Sequence, residues 1–192
     1  MGKPENHVRS AKGEGESNDE VFTPEYILSV VEQVLGPIGI DPCSHPKSIV
    51  RSTTAVMLPK YAPQVAPFAQ RTVFADGLRV QWRGHGLCWM NSPYSAPWLE
   101  LFLTKMFVDR DRDEGAVLLP VRTGNVYWAK TAGLADVEIR LGRVKHHGEK
   151  THSPFHSWLL YSGDRVEQAM GLGVLGDVRV HPRHTTMIRR RT

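Results

Sequence analysis

A chain of 192 residues is long enough to bury one ordinary core and too short for two full domains, so a single site is expected. Hydrophobic residues at 41% and charged residues at 23% are the proportions of a water-soluble globular protein, and no apolar run approaches the roughly 20 residues a membrane-spanning helix needs. The two cysteines, Cys43 and Cys88, stand at no spacing that suits a zinc site or a disulfide framework, which leaves a cytosolic protein with reduced thiols as the expectation.

The net charge of +4 is unevenly placed. Residues 1–20 carry three basic and five acidic side chains, no secretory signal and no hydrophobic periodicity, and read as a flexible segment. The main domain is expected over 21–176. Residues 177–192 form a basic tail in which Arg189, Arg190 and Arg191 are placed to meet phosphates.

The first predicted element follows Thr23-Pro24, a hydroxyl residue able to cap a helix ahead of a proline suited to its first turn. Ile27, Val30, Val31, Val34 and Leu35 then recur at helical spacing until Gly36-Pro37 stops the helix. Ile38-Gly39-Ile40 reads as a short buried strand that delivers Asp41-Pro42-Cys43 to its C-terminal end, the edge at which open α/β sheets bind ligands. From Ser44 to Ala75, four prolines and a weak pattern predict a loop-rich excursion, without any acidic residue.

Thr72-Val73-Phe74 predicts a strand ending in Asp76-Gly77-Leu78, and Leu87-Cys88-Trp89-Met90 predicts another ending in Asn91-Ser92-Pro93-Tyr94. A helix is expected from about Pro97 to Val108, apolar around most of its circumference, and then a strand over Gly115–Pro120. After Arg122-Thr123-Gly124-Asn125 and a short helical stretch, Val137–Leu141 and Phe155–Tyr161 read as an antiparallel pair at the end of the sheet. A short helix and a strand are expected beyond Gly163. The fold class is therefore α/β, one domain with a mostly parallel sheet.

Asn91-Ser92-Pro93-Tyr94 carries the most chemistry: it resembles the (Asn/Asp/Ser)-Pro-Pro-(Tyr/Phe/Trp) loop of amino-methyltransferases, and the resemblance implies the following roles. An exocyclic amino nitrogen is a poor nucleophile because its lone pair is delocalised into the base. Two acceptors, the Asn91 side-chain oxygen and the Ser92 backbone carbonyl, would draw its hydrogens and restore electron density. Much of the rate would then come from alignment and preorganised dipoles. Tyr94 is expected to stack on a base taken out of the duplex, at about 1–3 kcal/mol. In isolation such a tetrapeptide reads more readily as an ordinary turn.

Its companions, in order, are Thr23-Pro24, Asp41-Pro42-Cys43-Ser44, Asp76-Gly77-Leu78, Leu118-Leu119-Pro120, the stretch from Val137 to Arg143, and Ser153-Pro154-Phe155 with Ser157. With them, the segment from Val21 to Ser162 resembles the phage-type DNA N6-adenine methyltransferase family. The resemblance implies a Rossmann-like methyltransferase domain that uses S-adenosylmethionine, acts on double-stranded DNA by base flipping, and works in the cytoplasm of a bacterial host, of phage or prophage origin. It also implies that Asn91, Ser92, Pro93 and Tyr94 form the catalytic loop. Thr23, Pro24, Asp41, Pro42 and Cys43 would surround the methionine part of the cofactor, and Asp76 would face its adenine.

Three departures from the family pattern stand out. Ser92 occupies the position usually held by proline; no Gly-x-Gly turn follows Asp41; and no carboxylate between Asp41 and Asp76 is available for the ribose. With no separate recognition block, DNA contacts are expected from the 44–70 loop, from Arg122, Arg143 and Lys145, and from the arginine tail. Alternatives are a catalytically weak or inactive DNA-binding protein of the same fold, methylation of the cytosine amino group, and an RNA substrate. His146, His147, His152 and His156 match no recognised metal spacing and are expected at the surface or facing DNA, so no metal is expected.

Overall fold

A computed structural model describes residues 21–95, 97–121 and 130–181. Arg122, the stretch around Trp128 and the tail arginines Arg189, Arg190 and Arg191 lie outside them.

Eight strands form one sheet: β1 (Ile38–Asp41), β2 (Ser52–Met57), β3 (Arg71–Phe74), β4 (Leu87–Met90), β5 (Glu114–Pro120), β6 (Val137–Gly142), β7 (Ser157–Ser162) and β8 (Asp177–Val180). Their order across the sheet is β3-β2-β1-β4-β5-β7-β6-β8. The first five are mutually parallel, and β7 enters antiparallel to β5, with Pro120 opposite Ser157 and Gly115 opposite Ser162. This is the mostly parallel α/β sheet with an antiparallel end that the residue pattern predicts, and it is Rossmann-like, as the resemblance implies. The chain runs outward from β1 to β3 and then returns to β4 on the other side of β1. The C-terminal ends of β1 and β4 thus flank the switch point of the sheet, where outgoing loops diverge and leave a crevice.

Alternation along the strands divides the core into two layers. Trp89, Ala116, Leu118, Leu159 and Tyr161 pack with Ile27, Leu28, Val31 and Leu35 of α1 (Glu25–Leu35). Their chain neighbours Cys88, Met90, Val117, Leu119 and Leu160 pack on the other face, against Leu99, Phe102 and Leu103 of α2 (Trp98–Leu103) and Met106 and Phe107 of the wider turn that continues it. A sheet covered on both faces needs apolar residues at successive positions, which explains why β4 and most of β5 are buried throughout. Beyond β7, α3 (Val166–Ala169) leads through a 3-10 turn to β8.

Two elements depart from expectation. The 44–75 excursion contains β2, buried at five of its six positions and placed between β1 and β3. Its β-branched Thr53, Thr54 and Val56 suit a strand, but the polar Ser52 and Thr54 disguise an interior position. At the C-terminal end, Asp177–Val180 pairs with β6, so the sheet extends into the segment read as tail.

Candidate functional site

Asp41 is the last residue of β1, and Asn91 immediately follows β4 on the neighbouring strand. Asp76 lies just beyond β3. All three line one cavity of about 350 Å³, together with Thr23, Trp98 and Phe102. That volume falls within the range that accommodates a nucleotide-sized ligand. Gly77 is required for the cavity's shape, because a Cβ there would stand 1.9 Å from the Pro42 carbonyl oxygen. Only glycine lets the turn bearing Asp76 lie directly on the turn bearing Asp41. The Trp82 indole holds this contact by donating to the Gly77 carbonyl at 2.8 Å.

Asp41 is 3% exposed. Burial drives its carboxyl up to about 7, against hydrogen bonds from the Cys43 backbone and the Ser44 side chain, and among the described residues no cation acts on it. A buried carboxylate without a counter-charge is costly unless something positive completes it. Burial, and then the Asp41 carboxylate, push the Cys43 thiol well up, so Cys43 presents a thiol to the cavity and not a nucleophilic thiolate. Asp76 is more open. It accepts from the Leu78 N–H at 3.0 Å and pairs with Arg79 at 3.6 Å.

Thr23 does not cap α1. The helix begins after Pro24, which occupies the cap position without any side-chain bond, and its carbonyl receives the N–H groups of Ile27 and Leu28. The Thr23 hydroxyl is buried, borders the cavity and has no hydrogen-bond partner among the described residues. Polar atoms in that position are rare in finished interiors and common where a ligand supplies the missing bond.

The catalytic-loop candidate is held from both sides. Asn91 Nδ2 donates to the Val21 carbonyl at 2.7 Å, and Asn91 Oδ1 accepts from the Tyr94 hydroxyl at 2.9 Å. The amide orientation is thereby set, and a carbonyl oxygen still has a second lone pair. Pro93 joins Asn91 in the cavity wall, while the Ser92 hydroxyl is buried without a partner.

Tyr94 differs from the expectation of an open stacking platform. It is 4% exposed, and its ring meets those of His146 and Phe155 edge-on at centroid distances of 6.3 and 6.0 Å. Edge-to-face contacts of this kind suit ring quadrupoles and fix the ring in place. As it stands, Tyr94 orients Asn91 and has no face on the cavity.

His146 likewise departs from the surface role expected of the histidines. Along the segment after β6, the exposed Arg143, Lys145 and His147 alternate with the buried Val144 and His146. Neither ring nitrogen of His146 reaches a partner in good geometry. Burial lowers its pKa, outweighing the Phe22 backbone and the Glu149 carboxylate. A histidine whose folded pKa lies below its unfolded value costs stability as pH falls through the unfolded value of about 6.5. His146→Leu is therefore expected to flatten the loss of stability between pH 7 and 5, as read from urea midpoints. An acid limb as steep as that of the wild type would show that His146 is not the group responsible.

Arg143 and Lys145 are exposed on the strip whose next residue but one, His147, forms an isolated bridge to Phe22. They thus lie near the segment entering the cavity wall. Among the described residues no group of three metal-ligating side chains comes together, and no helix is long and apolar enough to cross a membrane.

Residue reasoning did not anticipate the hydrogen bond from Asn91 to Val21, the packing of His146 and Phe155 on Tyr94, or the place of Trp98 in the cavity wall. Only Trp98, an indole immediately after the loop, left a local signal.

No family model and no curated protein matches this chain. Among solved structures it is similar to a dimethyladenosine transferase from Plasmodium falciparum, at 8% identity and a TM-score of 0.46 over 78% of this chain. The match spans 65% of that protein's chain, less than two thirds of its length.

Proposed function

We propose that this chain is an S-adenosylmethionine-dependent methyltransferase acting on the exocyclic amino group of adenine in DNA. The observation that carries this reading is the placement of Asn91 Oδ1, oriented by Tyr94 and Val21, beside a cavity that also holds the buried carboxyl of Asp41.

The residues present fit the cofactor. Asp41, once ionised, and the buried Thr23 hydroxyl suit an ammonium-bearing methionine portion; Phe102 and the Asp76 turn suit an adenine. When bound, S-adenosylmethionine supplies an electrophilic methyl group carried on a sulfonium. The protein's part is to prepare the acceptor. Asn91 Oδ1 uses its second lone pair to accept a hydrogen bond from the amino group of the target base, the Ser92 backbone carbonyl is the second acceptor this reading requires, and the proton displaced by methylation leaves to solvent. With both hydrogens held, electron density returns to the amino nitrogen and the base is kept in line for attack. Ser92 in place of proline leaves that carbonyl intact. Arg143 and Lys145 serve as phosphate contacts.

The test is incubation with labelled S-adenosylmethionine and mixed-sequence duplex DNA, followed by digestion and identification of the methylated nucleoside. 6-Methyladenine is the expected product. Cytosine carrying the label on its amino group would move the substrate to that base, and label confined to an RNA control would move it to RNA. Calorimetric binding of the cofactor without product in any nucleic acid would favour the catalytically silent alternative.

A further inference from the structure

With Tyr94 packed away, the ring expected to stack on an extruded base does not border the cavity. An aromatic face offsets the loss of stacking when a base leaves its duplex. Of the other rings that border the cavity, Phe22 and Tyr61 pack against His45, Trp89 and Phe102 are buried, and Trp98 is exposed. Trp98 is 46% exposed, lines the same cavity as Asn91 and Pro93, and opens α2 directly after the catalytic loop. Leu99, Phe102 and Leu103 of that helix are buried in the core, so the backbone carrying the indole is firmly seated. Phe102, one turn further on, borders the cavity where it meets Gly77, at 3.4 Å from the position of a Cβ there. The helix thus gives the cavity two rings, one open to solvent and one sunk into the core. Leu58 and Lys60, both exposed, also border this cavity, and no acidic residue lies between Asp41 and Asp76 to repel a phosphate there.

Resting on the methyltransferase reading, we propose that Trp98 is the platform against which the extruded adenine stacks while Asn91 holds its amino group. Tyr94 then acts as a positioning residue behind Asn91, and the indole contacts the substrate.

The experiment uses the full chain and a single-stranded oligodeoxynucleotide carrying 2-aminopurine in place of adenine, whose fluorescence is quenched when the base stacks on an indole. Wild type is expected to bind and quench. Trp98→Ala is expected to lose about 5- to 150-fold in oligonucleotide affinity, the equivalent of one lost stacking contact. Its affinity for S-adenosylmethionine and its thermal midpoint should stay at the wild-type values. Trp98→Phe should recover most of the oligonucleotide affinity. Unchanged oligonucleotide affinity in Trp98→Ala would overturn the inference, as would loss of cofactor affinity with the oligonucleotide still bound, since the ring would then belong to the cofactor's wall. If wild type bound the cofactor but not the oligonucleotide, the platform would fail and the cofactor reading would stand. Trp98-dependent quenching in a protein that binds no cofactor would uphold the platform and sink the methyltransferase reading.

Discussion

Asp41→Asn is expected to make the protein more stable while removing its hold on a positively charged ligand. The carboxyl's folded pKa of about 7 lies above its unfolded value, so the folded state retains a proton that the unfolded chain has already released. Stability from this group is fully present below about pH 4 and is lost as pH rises through 7. An asparagine has no proton to lose and can still accept from the Cys43 N–H. The gain should be near zero at pH 4 and reach about 2–4 kcal/mol by pH 8, or roughly 4–16 °C in the melting midpoint. In binding, the same change removes the charge that would meet an ammonium, at a cost of about 2–5 kcal/mol, or thirtyfold or more in the dissociation constant. Melting curves from pH 4 to 8 and calorimetry with S-adenosylmethionine check the two halves separately. Wild-type affinity should itself tighten as pH rises through 7. A variant that melted like wild type at pH 8 would show that Asp41 carries no buried-charge penalty.

The second large effect falls on turnover. Asn91→Ala removes the oriented acceptor and leaves both the Val21 carbonyl and the Tyr94 hydroxyl without their partner. Loss of one preorganised hydrogen-bonding group at a reacting centre typically costs about 100- to 1,000-fold in rate, and a loss of that size is expected here with cofactor affinity unchanged. Tyr94→Phe keeps the ring among His146 and Phe155 and removes only the hydroxyl. Its expected effect is smaller, about 5- to 30-fold, the equivalent of one hydrogen bond that orients another group. Single-turnover rates with saturating cofactor measure both. If Tyr94→Phe were as fast as wild type while Asn91→Ala was slow, Val21 alone would suffice to orient the amide.

Asp41, Asp76 and Asn91 were legible because each ends a short apolar strand, and strand ends in parallel sheets converge on one edge. Local chemistry and global topology agree there. The β2 strand was not legible, because Ser52 and Thr54 are interior positions filled by polar residues and the flanking prolines mask a short run. Thr23 admitted two readings, a helix cap and part of the cofactor's wall; the cap reading fails because the backbone carbonyl of Pro24 takes the first bonds of the helix. Tyr94 and His146 were misplaced for a shared reason. Their burial is created by a contact between the catalytic loop and a segment far downstream, and no periodicity within either stretch records it. The 70-residue separation of Val21 and Asn91 hides their hydrogen bond in the same way.

The clamp formed by Tyr94, His146 and Phe155 also sets a timetable. A nascent chain that has released β1 to β5 already possesses the carboxylates and the core strands of the sheet, and domains begin to organise as they emerge. The Val21 carbonyl can hold Asn91 from one side by then, but the rings that immobilise Tyr94 on the other side belong to residues not yet made. The Tyr94 side of the clamp on Asn91 is therefore completed only after Phe155 has left the ribosome.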